Sequence, residues 1–173
     1  DKSIIYNFLG VIHFMKKNLA EAEKFFLKVI EIDDKFQDPI RNLCVIYTIS
    51  KKFKELLNYS TKLYYLDNKN PLNIFQIGSA NELNKNYDEA IKYYEIYINT
   101  DGSDKKRGFN NIGNIFLRKG KPKTSVKYFS KALELDSNNK ILINNIFLCY
   151  LSLRDKNKAE EYFKRAEIID SNY

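Results

Sequence analysis

Setting Gly10, Cys44, Gly78, Gly113 and Phe147 at one position brings the chain into register with itself every 34 residues, with Lys105 alone outside the period. Matching tails such as Val29-Ile30-Glu31-Ile32-Asp33 and Ala132-Leu133-Glu134-Leu135-Asp136 fall at the same point of the unit. Five repeats follow: residues 3–36, 37–70, 71–104, 106–139 and 140–173. A unit of this size cannot bury its apolar face alone, so neighbours must stack into one continuous core, and the two long outer surfaces of such a stack serve binding. One array over residues 1–173 is therefore expected, cut from a longer protein.

Twelve residues after the aligned position stand Ala22, Leu56, Ala90, Ser125 and Ala159, and four further on Phe26, Ser60, Tyr94, Phe129 and Phe163. Antiparallel helices approach closely only where side chains are small, and an aromatic one turn later fills the gap between successive pairs. The spacing resembles the tetratricopeptide repeat, whose W-x2-L-G-x2-Y, A-x3-F and final P occupy the same places. The likeness runs from Ser3 to Tyr173 and is fullest in repeats three and four. It implies an all-α fold, a right-handed α-solenoid of five helix-turn-helix repeats. Departures are specific: the final Pro is replaced by Asp34, Asn68, Gly102, Ser137 and Ser171, and Trp is absent. Leu56, Leu63 and Phe147 are large where the pattern wants small residues, which predicts helices pushed apart or neighbours that shrink to match. The junction Thr100 to Gly108, holding the extra residue, is expected to be the most mobile.

Composition sets limits on function. The formal charge is +7, but 24 Lys and 20 Asn reflect AT-rich coding as much as a demand for charge. Nucleic-acid binding asks for cations gathered on one face with aromatic platforms, and the lysines spread over the solvated helix sides argue against it. The longest apolar stretches, near Ile4 to Met15 and Ile141 to Leu153, are too short and too interrupted to span a bilayer. Cys44 and Cys149 lie repeats apart, beyond the roughly 7 Å that a disulfide allows between Cα atoms, so both read as buried thiols and a reducing cytoplasm is the default compartment. No catalytic, cofactor or metal site emerges. His13 has no metal-spaced partner, Gly113 with Gly120-Lys121 has the wrong spacing for a phosphate loop, and Asp33-Asp34 reads as a helix-capping pair.

In the family, the first helix of each repeat lines the concave face. Its inward positions here carry Asn7, Asn42, Gln76, Asn110, Asn111, Asn114, Asn144 and Asn145, a ladder of amides able to bond the backbone of an extended peptide. Phe8, Val11, Phe14, Phe75, Leu83, Leu117 and Leu148 are expected to supply apolar pockets, and Arg41, Arg107 and Arg118 positive charge. The expected partner is a protein or peptide with acidic and apolar residues. The carboxylate clamp of chaperone-binding relatives is not reproduced, since Val45, Gln76 and Asn111 stand at its key positions.

The first functional reading is thus a non-enzymatic scaffold that holds a partner segment in its groove. A second is self-association through uncovered ends at Ile4, Ile5, Phe163 and Ile169, or through tyrosines on the outer helix around Tyr93, Tyr94 and Tyr97. A third is presentation of substrates to a catalytic domain elsewhere in a larger enzyme.

Overall fold

The computed structural model describes residues 2–171, so Asp1 and the last two residues of the fifth repeat, Asn172 and Tyr173, lie outside the described residues. Ten helices and no strands occur among the described residues. They form two compact units, residues 1–86 and 87–173, with the boundary inside the third repeat.

Unit 1 holds α1 (Lys2–Met15), α2 (Leu19–Ile32), α3 (Gln37–Ile49), α4 (Phe53–Leu66) and α5 (Pro71–Leu83). Each packs on the next, around a core that includes Ala22, Phe26, Ile40, Leu43, Tyr47, Leu56 and Leu63. Gly10 makes the α1–α2 approach close: a Cβ there would sit 2.6 Å from the Phe26 ring. The second repeat has no such pair. Its Leu56 and Leu63 are fully buried, and the volume is recovered because Cys44 and Ser60 meet as two small residues, Sγ to Oγ 3.6 Å.

Unit 2 holds α6 (Tyr87–Ile98), α7 (Lys105–Arg118), α8 (Pro122–Leu135), α9 (Lys140–Ser152) and α10 (Lys156–Ser171), again packed in sequence. Gly113 repeats the close approach, 2.6 Å from the Phe129 ring to a Cβ placed on it. In the fifth repeat Phe147 occupies that position, and Phe163 lies beside it with centroids 5.9 Å apart, 48% exposed where Phe129 is fully buried.

One turn geometry recurs in all five repeats. The residue closing each helix pair is left-handed: Lys17 at φ 60°, Lys51 at 56°, Lys85 at 63°, Gly120 at 66° and Arg154 at 58°. The next amide reaches back to the preceding helix, as in Asn18 N–H to His13 C=O at 2.9 Å and Lys121 N–H to Phe116 C=O at 2.9 Å. These bonds satisfy carbonyls that the helix end would leave open. Helix starts are capped by short polar side chains, Asn70 accepting from Leu72 N–H at 2.9 Å and Asn139 from Leu142 N–H at 3.2 Å, so part of the asparagine content serves the ends of helices.

Two expectations about junctions need correction. Asp33 and Asp34 cap no helix start: Asp33 follows α2 and takes the Lys35 N–H at 3.0 Å, closing a local turn, while Asp34 pairs with Lys62 at 3.3 Å. The junction after Thr100 is shorter than Thr100 to Gly108, because α7 begins at Lys105. Asp104 accepts the Arg107 N–H at 3.2 Å and donates its own to the Tyr97 hydroxyl at 3.0 Å, and Gly108 is buried within the helix.

Candidate protein-binding faces

The first helices of the repeats, α1, α3 and α5 in unit 1 and α7 and α9 in unit 2, carry the candidate residues. In unit 1 two of these helices are joined by a side chain: the Arg41 guanidinium on α3 donates to Asn73 Oδ1 on α5 at 3.0 Å. It also donates to Gln37 Oε1 at 2.7 Å and lies 3.5 Å from the Asp38 carboxylate. Arg41 is thus engaged by its own fold, so a carboxylate ligand has to compete for it. Its acceptor Asn73 is itself buried, donating to the Leu63 and Asp67 carbonyls at 3.0 and 3.1 Å and so tying α5 to the end of α4. Asn81, also buried, donates to Ile77 C=O at 2.9 Å. These two internal amides escaped the sequence reading; their signal was only that an amide stood off the inward positions.

Phe8 is 65% exposed on α1, whereas Asn7, Asn42, Phe75 and Gln76 are half-buried. The Asn7 Oδ1 is enclosed with no hydrogen-bond partner among the described residues. Met15 and Ile49, 77% and 56% exposed, add apolar surface beyond the residues expected, although both occupy the thirteenth, inward position of their repeats. Val11, Phe14 and Leu83 pack partly buried against the unit's core, and Phe14 and Leu83 each also line an open pocket. His13 is spent on packing, stacked on Phe25 with centroids 5.4 Å apart.

In unit 2, Asn110, Asn111, Asn114 and Asn145 are half-buried, and Arg107, Arg118 and Asn144 are exposed. One rung of the ladder is formed, with Asn145 Nδ2 donating to Asn110 Oδ1 at 3.3 Å between α9 and α7. Beside it lies an open pocket of about 190 Å³ lined by Asp104, Lys106, Arg107, Asn110, Asn139, Ile141 and Leu142. Lys106 is 2.9 Å from Asp136. Hydrogen bonds from Asn139 and Lys106 hold the Asp136 carboxyl below its ordinary range, and Asp136 raises the Lys106 ammonium in return. Leu117 joins the core, while Leu148 stays 49% exposed.

Neither cysteine is placed for chemistry. Both are buried, and burial pushes the Cys44 thiol up to about 11 and raises Cys149 as well; a thiol held protonated is a poor nucleophile and metal ligand. No helix among the described residues is long and apolar enough to cross a membrane.

These faces sit on a recognisable repeat. Profiles of the tetratricopeptide repeat match residues 4–36, 73–101 and 148–173, and residues 107–139. The chain belongs to the tetratricopeptide repeat family. Among its relatives is the type IV pilus assembly protein PilF of Pseudomonas aeruginosa, 27% identical over 131 residues, which are 75% of this chain and 52% of PilF; the chain thus spans about half of that relative. Solved structures with the same fold include MamA, with a TM-score of 0.88 at 18% identity over 98% of this chain and 92% of that one. Another is YrrB, described as a TPR protein with an unusual peptide-binding site, at 0.77 and 17% identity over 99% and 88%.

Proposed function

We propose that the chain is a non-catalytic interaction scaffold that holds an extended segment or helix of a partner protein against the first helices of its repeats. The observation that carries this reading is the hydrogen bond from the Asn145 carboxamide to that of Asn110 next to the Arg107-lined pocket. Half-buried carboxamides there stand beside a cation and the exposed Ile141, a combination that suits a peptide backbone carrying acidic and apolar side chains. The likeness to YrrB, a protein whose description names a peptide-binding site, points the same way. Asn7, Phe8, Asn42, Phe75 and Gln76 are the matching contacts in unit 1, and Asn111, Asn114, Arg118 and Asn144 extend the surface in unit 2.

Capture from native lysate, quantified by mass spectrometry, tests the reading. The wild-type chain and an Arg107→Ala, Asn111→Ala, Asn145→Ala variant of equal helicity are compared. Selective loss of one protein supports it; an unchanged captured set removes it.

Exposed apolar residues support a second reading, self-association, with Ile4, Ile5 and Phe163 at 52%, 58% and 48% exposure. Of the tyrosines in that reading, Tyr94 and Tyr97 are buried in unit 2 and only the half-buried Tyr93 is left to contribute. Light scattering decides it, since association predicts a molar mass that rises with concentration.

A further inference from the structure

We infer that the turn edge of unit 1, around the end of α1 and the end of α3, is a docking site for a partner segment that presents a large apolar side chain next to carboxylates; this rests on the scaffold reading above. Three observations meet at this edge. An open pocket of about 470 Å³ is lined by Phe14, Met15, Lys17, Leu19 and Ile49. Met15 and Ile49 leave most of their surface to water, so the pocket has an apolar mouth as well as an apolar floor. Being concave, it suits an inserted side chain better than a flat lipid surface.

Charge supplies the second part. Lys17 lines the pocket, Lys16 precedes it in the turn after α1, and Lys51 stands in the turn after α3, two residues beyond Ile49; all three are exposed. Of the nearby acids, Glu21 lies 3.6 Å from Lys24 and Glu23 2.9 Å from Lys52, while the exposed Glu55 shares a second, adjoining stretch of this edge with Lys51, Lys52 and Lys54. The edge therefore carries an excess of positive charge, with Lys16, Lys17, Lys51 and Lys54 against Glu55, beside apolar surface, the complement of an acidic and apolar segment.

Backbone conformation supplies the third. Lys17, Lys51 and Lys85 hold left-handed turns, at φ 60°, 56° and 63°, that glycine or asparagine fits better. The fourth repeat uses Gly120 at the same turn, and none of the chain's 20 asparagines occupies one. A basic residue holds this turn in four of the five repeats, Arg154 at φ 58° included, against the preference of the backbone, and at the end of α1 that side chain, Lys17, lines the pocket.

Display of random peptides on phage, selected against the intact chain, tests this. Peptides with Asp or Glu beside Leu, Phe or Met are expected, and a fluorescein-labelled synthetic copy of one should bind in a salt-sensitive way. Lys17→Gly with Lys51→Gly should weaken it by about tenfold while raising the thermal midpoint, since glycine relaxes both turns. Met15→Glu, at a side chain already in water, should abolish binding with the helicity unchanged. Peptides that survive these substitutions but are lost on Asn110→Ala with Asn145→Ala would overturn the inference and leave the scaffold reading standing. Failure to select any peptide removes both. Sedimentation of the chain with phosphatidylserine vesicles, lost in the Lys17→Gly, Lys51→Gly variant and unmatched by any peptide, would also overturn it, by making the edge a membrane surface.

Discussion

Units 1 and 2 repeat one contact and differ in what they show to a ligand. A Cβ on Gly10 would meet three atoms of Phe26 at 2.6, 2.7 and 3.0 Å, and one on Gly113 would meet the same atoms of Phe129 at the same three distances. Yet α1 and α3 expose Phe8, Met15, Val45 and Ile49, whereas α7 offers Asn110, Asn111, Asn114 and Arg118. The comparison teaches where the repeat is constrained. Where glycine faces the ring, in the first and fourth repeats, the contact leaves no room for an extra atom and is the same in both; the outward positions are less tightly packed and are free to differ, which is where two units of one fold acquire different surfaces.

The largest effects should fall on the shared contact. Phe26→Ala and Phe129→Ala each remove a fully buried ring and should cost about 3–5 kcal/mol by denaturant unfolding, alike in both units. Phe163→Ala, at a ring 48% exposed, should cost less than about 1 kcal/mol. Unequal losses for Phe26 and Phe129 would break the equivalence of the two units. Gly10→Ala and Gly113→Ala, which drive a methyl into those rings, should each cost about 1–3 kcal/mol.

Each unit also carries one buried thiol, and these sharpen the comparison. With Cys44 raised to about 11 by burial, each unit above the ordinary thiol value lowers the thiolate fraction about tenfold. Dithionitrobenzoate at pH 8 should leave Cys44 unreacted in the folded chain and modify it on denaturation. Cys149, also buried and raised, should behave alike, and single-cysteine variants then report separately how often each unit opens.

The turns offer a smaller test that exchanges the units' chemistry. Lys17→Gly or Lys51→Gly should stabilise by about 0.5–1 kcal/mol, because glycine adopts the left-handed turn without cost. Gly120→Lys should lose a similar amount, about 0.5–1 kcal/mol, in unit 2. Equal midpoints in all three would show that the turns carry no strain.

Much of the fold was legible because its governing contact is periodic: small residues at the aligned position and aromatics sixteen further on announce the helix pair without any structure. Residues whose role depends on a partner far away in sequence were not. Arg41 looks like ligand charge until Asn73, 32 residues on, is seen to accept from it. Asn73 and Asn81 look like surface amides, but carbonyls of Leu63, Asp67 and Ile77 need donors inside the unit. Tyr97 looks external because tyrosine is amphipathic, and burial in unit 2 overrules that, whereas Tyr94, sixteen residues after Gly78, is buried as the packing pattern requires. Lysine does not advertise a left-handed turn, so the edge built by Lys17, Lys51 and Lys85 was silent in the sequence despite its perfect period.

The smallest expected effect concerns equivalent aspartates at the ends of the second helices. Asp67 in unit 1 accepts backbone N–H groups of Lys69 and Asn70 at 3.2 Å, while Asp136 in unit 2 accepts from the side chains of Asn139 and Lys106, both at 2.9 Å. Asp136 is lowered from its ordinary value, first by Asn139 and then by Lys106. Its stabilising contribution is therefore present above the unfolded carboxylate value and is lost as pH falls through the lower folded one. Lys106 is raised, chiefly by its hydrogen bond to Asp136, so its contribution is present below the unfolded lysine value and is lost as pH rises through the folded one. The pair acts across the window between them, about pH 4 to 10. Both groups are solvent-facing, which keeps the effect on stability small and sensitive to salt. Carboxyl carbon shifts followed by NMR from pH 6 to 2 should place the Asp136 midpoint below that of an unperturbed aspartate, and Lys106→Ala should move it upward. A midpoint unchanged by Lys106→Ala would mean that Asn139 alone holds the carboxylate, and the pocket beside Arg107 would then present Lys106 to a ligand as a second cation.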